Sequence, residues 1–371
     1  MFPRLEYIDW LSGRPEVALY DLGSSALRGD RDRQPAVVPE PLAGLSDPPA
    51  GATLETQIAG EYGVHPEQVL VTPGASTANF VATAAALYPT AGTDENGDGG
   101  TPTALVEKPG YEPLVAAPRA VGGQTNRVLR PADDDYRISP ARIAAAATED
   151  TQVVTVTNRH NPSGRLADVD ALADAAARAR EVGARLLVDE VYAPFTETAS
   201  DGPFGGPTAV GIDSAVVTGS LTKFFGLHDS GVGWLIADAE FVDRARSVLR
   251  HIPGPAASNR ALGMRALHNR DALADRARSL VAENHGLLAS FRDAHDDLVA
   301  GTVHEGAPYA FLDPREADGD AVAAAAWSEG VLVVPGRFFD DPGRIRVSLG
   351  RTPDHAVAAL DALAGVLADG P

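Results

Sequence analysis

Of the 31 Lys and Arg residues in this chain only two are lysines, Lys108 and Lys223. Arginine can stand in for lysine wherever only positive charge is needed. It cannot do so where an amine must lose a proton and attack a carbonyl. A lysine kept in such a chain is therefore a candidate for imine chemistry. Lys223 lies in Ser220-Leu221-Thr222-Lys223-Phe224-Phe225-Gly226-Leu227, directly after an apolar run. Phe224 and Phe225 are expected to desolvate the amine in part, which disfavours the ammonium and favours the neutral nucleophile. The hydroxyls of Ser220 and Thr222 suit a phosphate group. Lys108, between Glu107 and Pro109, reads as an exposed charge.

Five other segments carry polar groups that suit a site. Asp189-Glu190-Val191-Tyr192 closes a second apolar run, where Asp189 serves either as a partly buried carboxylate facing a cation or as a cap on a turn. Asn158-Arg159-His160-Asn161-Pro162-Ser163-Gly164 reads on its own as a turn, with His160 as a packing or supporting residue. Thr72-Pro73-Gly74-Ala75-Ser76-Thr77 joins a strand to a helix, so its free amides could hold phosphate or its hydroxyls could cap the helix. Pro109-Gly110-Tyr111 offers an aromatic ring, for stacking or for the core. Arg344-Ile345-Arg346-Val347-Ser348 places two guanidinium groups on one face of a strand, either of which can fork onto a carboxylate.

Taken in order, these segments resemble the class I/II pyridoxal-phosphate-dependent aminotransferases. The residues 220–227 resemble S-x-[ST]-K-x-x-G-L, 189–192 resemble D-E-x-Y, and 158–164 resemble N-x-x-N-P-[ST]-G. Tyr111 matches P-x-[YW] and Arg346 matches R-[IVL]-S. The resemblance implies pyridoxal 5'-phosphate as cofactor, bound through a Schiff base to Lys223. It implies that Asp189 keeps the pyridine nitrogen protonated and that Tyr192 and Asn161 hydrogen-bond the phenolic oxygen. Tyr111 would stack on the ring. Ala75, Ser76, Ser220 and Thr222 would hold the phosphate, and Arg346 the substrate carboxylate. Substrates would be an amino acid and a 2-oxo acid, and the assembly a homodimer. The pattern departs at Gly231, eight residues after Lys223, where the family usually has an arginine on the phosphate. The same scaffold also carries decarboxylases and carbon–sulfur lyases, and some non-catalytic proteins.

The elements around these segments alternate. Strands are expected at 68–72, 103–107, 153–157, 185–189, 215–219 and 233–237, with helices at 76–87 and 168–182 between them. Such alternation indicates an α/β protein with a mostly parallel sheet, whose ligands sit beyond the carboxyl ends of the strands. The resemblance makes this fold type I, with a seven-stranded sheet and a smaller α+β domain. Long helices follow residue 238, with a break at Pro253-Gly254-Pro255, and then strands at 331–334 and 344–348 and helices at 319–328 and 353–367. The expected division is an N-terminal arm at 1–45, a large domain at 46–245 and a small domain at 246–371. Residues 1–50, rich in Pro and Gly, read as an extended lead-in.

Composition narrows the rest. A chain of 371 residues with 44% hydrophobic content can bury two cores. Having no Cys, it can have no disulfide, thiolate chemistry or Cys-based metal site. A charge of −20 argues against nucleic acid or an anionic membrane as partner. Abundant Asp and Glu with scarce Lys suggests a salt-rich cytoplasm. The start has no basic segment leading into an apolar run, and no stretch is apolar enough to span a bilayer, so a cytoplasmic protein is expected. Asp94-Glu95-Asn96-Gly97-Asp98-Gly99 opens like a calcium loop, but loop position twelve is Leu105, so no metal site is expected.

Overall fold

The computed structural model describes residues 2–27, 38–88, 100–227 and 230–370. The Asp94–Gly99 loop lies outside them. Residues near the N-terminus that read as extended form two short helices instead, α1 (Glu6–Leu11) and α2 (Arg14–Val17), before β1 (Tyr20–Asp21). Gly13 turns the chain between them at φ +74°, and Pro15 sits in the first turn of α2, where its missing amide costs nothing. Burial of Tyr7 and Pro15 supplies the packing that so short a helix needs.

The large sheet is built from chain segments between residues 69 and 236. After α3 (Leu54–Tyr62) come β2 (Val69–Thr72), α4 (Ala75–Leu87), β3 (Thr103–Lys108), α5 (Glu112–Ala120) and β4 (Gln124–Leu129). Then follow α6 (Pro140–Ala146), β5 (Thr151–Thr157), α7 (Val169–Glu181), β6 (Arg185–Asp189), β7 (Ala215–Ser220) and β8 (Gly233–Ile236). Among the described residues these strands make a seven-stranded sheet in the order β2-β8-β7-β6-β5-β3-β4. Only β8 runs antiparallel, to both β2 and β7. The central strands are buried along nearly their whole length, as strands covered on both faces must be. β4 was not foreseen because it is an edge strand of polar residues, exposed at Gln124, Asn126 and Leu129.

The carboxyl ends of β2, β3, β5, β6 and β7 emerge on one edge of this sheet. That edge therefore gathers Gly74, Tyr111, Asn161, Asp189 and Lys223 from sequence positions up to about 150 residues apart.

The remainder comprises α8 (Ala239–Leu249), α9 (Ala257–His268), α10 (Arg270–Ala294), β9 (Val299–Ala300), β10 (Tyr309–Pro314), α11 (Gly319–Ser328), β11 (Val331–Leu332), β12 (Val334–Pro335), β13 (Ile345–Ser348) and α12 (Pro353–Asp369). β12, β13, β10 and β9 form an antiparallel sheet. β1 pairs in parallel with β11, and Leu22 joins the apolar cluster of Leu288, Ile345 and Leu363. The N-terminal segment is thus stitched to the C-terminal sheet, and it passes over the cavity on the way.

Candidate active site

Asp189 is the last residue of β6 and is fully buried. Its Oδ2 accepts from Asn79 Nδ2 at 2.7 Å and its Oδ1 from Val191 N at 3.1 Å. Asn79 on α4 is held in turn by Thr218 Oγ1, which donates to Asn79 Oδ1 at 2.6 Å. Burial pushes the Asp189 carboxyl above its usual range, while these bonds and the charge of Lys223 act in the opposite sense. Such a carboxylate is poised for a cationic partner. Lys223 is half-buried three residues past β7, followed by buried Phe224 and Phe225, and its Nζ stands 5.9 Å from the centre of the Tyr192 ring. Its carbonyl accepts from Leu27 N at 3.1 Å, so the N-terminal segment clamps the loop that carries it. Tyr192 Oη and Ser25 Oγ are 2.6 Å apart.

Glu190, beside Asp189, faces the other way and has no cation among the described residues to offset its burial. Its oxygens accept from Ala209 N at 2.6 Å and Thr208 Oγ1 at 2.8 Å, and burial pushes its carboxyl up to about 8. A raised folded pKa means that the native state holds a proton the unfolded chain releases at lower pH. This stability is complete below about pH 4.5 and is lost as pH rises through about 8. Glu190→Gln should remove a slope of up to about 1.4 kcal/mol per pH unit across that window. Denaturant unfolding of both proteins at pH 5 and pH 8 checks this; equal slopes would refute it.

The opposite end of the cavity suits an anion. Gly74 is the N-cap residue of α4 at φ +89°, and no side chain caps the helix, so neither Ser76 nor Thr77 acts as an N-cap. The turn can sit there because Gly233 on β8 has no side chain: a Cβ at that position would lie 2.4 Å from the Gly74 carbonyl carbon. Ser76, Ser220 and Thr222 line this end together with Gly231, at φ +52°.

Arg346, on β13, is 1% exposed. Its Nη1 donates to Asn161 Oδ1 at 2.8 Å, and its Nη2 donates to Tyr7 Oη and to the Gly23 carbonyl, each at 3.0 Å. Its Nε is buried with no partner among the described residues. Arg344 lies outside the strand and pairs with Asp313 and Asp341 instead, each at 3.2 Å. Asn161 is fixed from below. Its backbone N donates to Thr157 Oγ1 at 2.9 Å, and Thr157 donates through N and Oγ1 to Glu107 Oε1 at 2.8 and 2.5 Å. Glu107 is pinned by Arg130 Nη1 at 2.5 Å on Oε2. His160 is buried, lowered well below its usual pKa by desolvation, and bonded to Ser163 Oγ and the Pro109 carbonyl, so it supports the loop as a neutral ring. Lys108, expected to be exposed, is half-buried and does not line the cavity.

Every residue picked out from the sequence for the cofactor or the substrate lines this one cavity of about 330 Å³. Tyr7, Ser25, Asn79 and Thr157 line it too and were not foreseen. Asn79 had a signal, because it lies one helical turn after Ala75 and so shares its face. Tyr7 and Ser25 had none, since they sit in the segment read as a lead-in. The set fits pyridoxal phosphate: a lysine for the aldehyde, a buried carboxylate in need of a cation, and an uncapped helix terminus with hydroxyls for the phosphate.

A lysine at the end of a central strand, facing a buried aspartate in a mostly parallel sheet, defines a pyridoxal-phosphate-dependent enzyme of fold type I. The chain belongs to the aminotransferase class I and II family, whose profile matches residues 30–363. It is similar to the aspartate aminotransferase of Streptomyces avermitilis, with 26% identity covering 89% of this chain and 81% of that one. It is also similar to the histidinol-phosphate aminotransferase of Haloquadratum walsbyi, with 27% identity covering 85% and 77%. In three dimensions it resembles a PLP-dependent aminotransferase from Streptococcus suis, with a TM-score of 0.83 at 21% identity over 99% of this chain and 98% of that one. The protein is an aminotransferase that uses pyridoxal phosphate and acts on small amino and oxo acids.

Proposed function

We propose that the cavity is the amino-transfer site, with Lys223 as the residue that holds the cofactor and moves the proton. The observation that carries this is the placing of Lys223, buried Asp189 and Arg346 on one cavity. Bound there, pyridoxal phosphate would supply a reactive aldehyde and a cationic ring able to act as an electron sink. The chain's own residues do the rest. Arg346 receives the α-carboxylate through the donors its neighbours leave available. The Lys223 amine carries the α-proton. Asp189 holds a proton on the ring nitrogen. Asn161 and Tyr192 donate to the phenolic oxygen, and Tyr111 covers the ring face. Ala75, Ser76, Ser220 and Thr222 hold the phosphate without an arginine at position 231.

The arm at 1–45, the large unit at 46–245 and the small unit at 246–371 are the proposed domains. The proposed assembly is a homodimer in the cytoplasm, and the exposed apolar side chains of Phe2, Val17 and Leu19, 65–72% accessible, support a contact through the arm. No helix among the described residues is long and apolar enough to cross a membrane. The acidic excess suits a salt-rich cytoplasm. The experiment pairs a panel of amino donors with 2-oxoglutarate or pyruvate, in low and in multimolar salt. We expect stoichiometric exchange of the amino group, faster in high salt. Release of carbon dioxide or ammonia in place of exchange would overturn the reading in favour of a decarboxylase or lyase.

A further inference from the structure

The helix α1 has no part in the assignments above, yet it borders the cavity with three side chains, Tyr7, Ile8 and Leu11. Tyr7 is 4% exposed and its hydroxyl accepts from Arg346 Nη2 at 3.0 Å. A hydroxyl that accepts from a guanidinium has its own hydrogen to donate. A carboxylate arriving on Arg346 would thus meet a neutral donor beside the charged ones.

The helix is anchored by a specific device. Glu112 opens α5, the helix that follows Tyr111, and its two oxygens accept from Glu6 N at 3.0 Å and Tyr7 N at 2.7 Å. One carboxylate thereby satisfies two of the amides that the start of α1 leaves without partners. The Tyr7 ring also packs against Tyr111, Phe338 and Phe339 at centroid distances of 5.5–5.9 Å. The contact with Tyr111 ties α1 to the ring assigned to cover the cofactor.

Charge then limits what the substrate's other end can be. Among the described residues that line the cavity, the cations are Lys223 and Arg346, and both already have roles. Among the described residues a distal carboxylate or phosphate buried there would have no basic partner, and an unpaired buried charge is strongly disfavoured. Ile8 and Leu11 offer an apolar surface instead, Ile8 being 39% exposed at the cavity's edge.

We propose that α1 is the substrate-recognition element of this aminotransferase. Tyr7 completes the α-carboxylate site with Arg346, and Ile8 and Leu11 select an amino acid with an apolar side chain. The proposal rests on the cavity being the amino-transfer site.

The test follows the cofactor's absorbance as each donor is added alone, so that no oxo acid is needed. Leucine and phenylalanine should convert the cofactor at least tenfold more efficiently than aspartate or histidinol phosphate. Tyr7→Phe should raise KM for leucine about ten- to a hundredfold, leave kcat within about threefold and load cofactor normally, since it removes one bond to a charged group. Glu112→Ala should raise the same KM and speed backbone hydrogen exchange across residues 6–11, which Tyr7→Phe should not do. Leu11→Arg should raise the efficiency with aspartate relative to leucine. A wild-type protein that converts with no donor would sink the reading of the cavity itself. Preference for aspartate or histidinol phosphate, or an unchanged KM in Tyr7→Phe, would overturn the role of α1 alone.

Discussion

Replacing Lys223 with alanine should lower the rate of amino transfer by about four orders of magnitude. Two roles are lost at once, the nucleophile that holds the cofactor and the base that carries the α-proton. The fold should survive, because the loop is fixed by other groups. Its backbone carbonyl still accepts from Leu27 N, and Phe224 and Phe225 remain buried in the core. The lysine-poor composition makes the test sharp. In a Lys108→Arg background Lys223 is the only lysine, so reduction with borohydride can label only one side chain. Mass spectrometry should find pyridoxyl phosphate there in the Lys108→Arg protein and nowhere in the double variant. A Lys223→Ala protein that transaminates within tenfold of wild type would remove the lysine from the mechanism.

How much of this was legible beforehand follows from where each residue gets its information. Asp189 closes a short apolar strand, and Asn161 and Lys223 each follow one by a few residues. A parallel sheet fixes where such a strand ends, and so the local sequence was enough to gather them on one edge. The match to R-[IVL]-S favours Arg346 over Arg344 in the sequence, and tertiary context separates them further: β13 begins between them, and Asp313 and Asp341 claim Arg344. β4 went unseen for a different reason, since an edge strand exposes polar residues and loses its apolar signature. β10 went unseen although it is apolar, and its Phe311 lies opposite Arg346. Least legible was the N-terminal segment. Its helices are too short to show a period, and what stabilises them is remote: Glu112 for α1, and Val331 and Leu332 for β1. Contacts across a hundred residues or more leave no local trace, which is why Tyr7 and Ser25 appeared only in three dimensions.

Asp189→Asn should lower kcat by about two to three orders of magnitude while making the cofactor-free protein more stable. The two effects have one cause. Burial raises the Asp189 carboxyl above its usual range, so the ionised form costs native stability. That stability is fully present below the ordinary carboxyl pKa of 3.8 and is lost as pH rises through the raised value. At neutral pH the cofactor-free protein carries this cost, and a neutral amide removes it. The amide fits with one adjustment. Its NH2 meets the donor of either Val191 or Asn79, and Asn79 can flip because the Thr218 hydroxyl it bonds can accept as well as donate. What the amide cannot do is hold a proton on the ring nitrogen, so the bound cofactor loses the cationic form that takes up electrons from the substrate. Unfolding of the cofactor-free proteins should show a stability gain that is larger at pH 8 than near pH 4, beside the loss of amino transfer. A variant that is destabilised and inactive would point to a structural role for Asp189, and one that keeps the wild-type kcat would show that the carboxylate does not act on the cofactor.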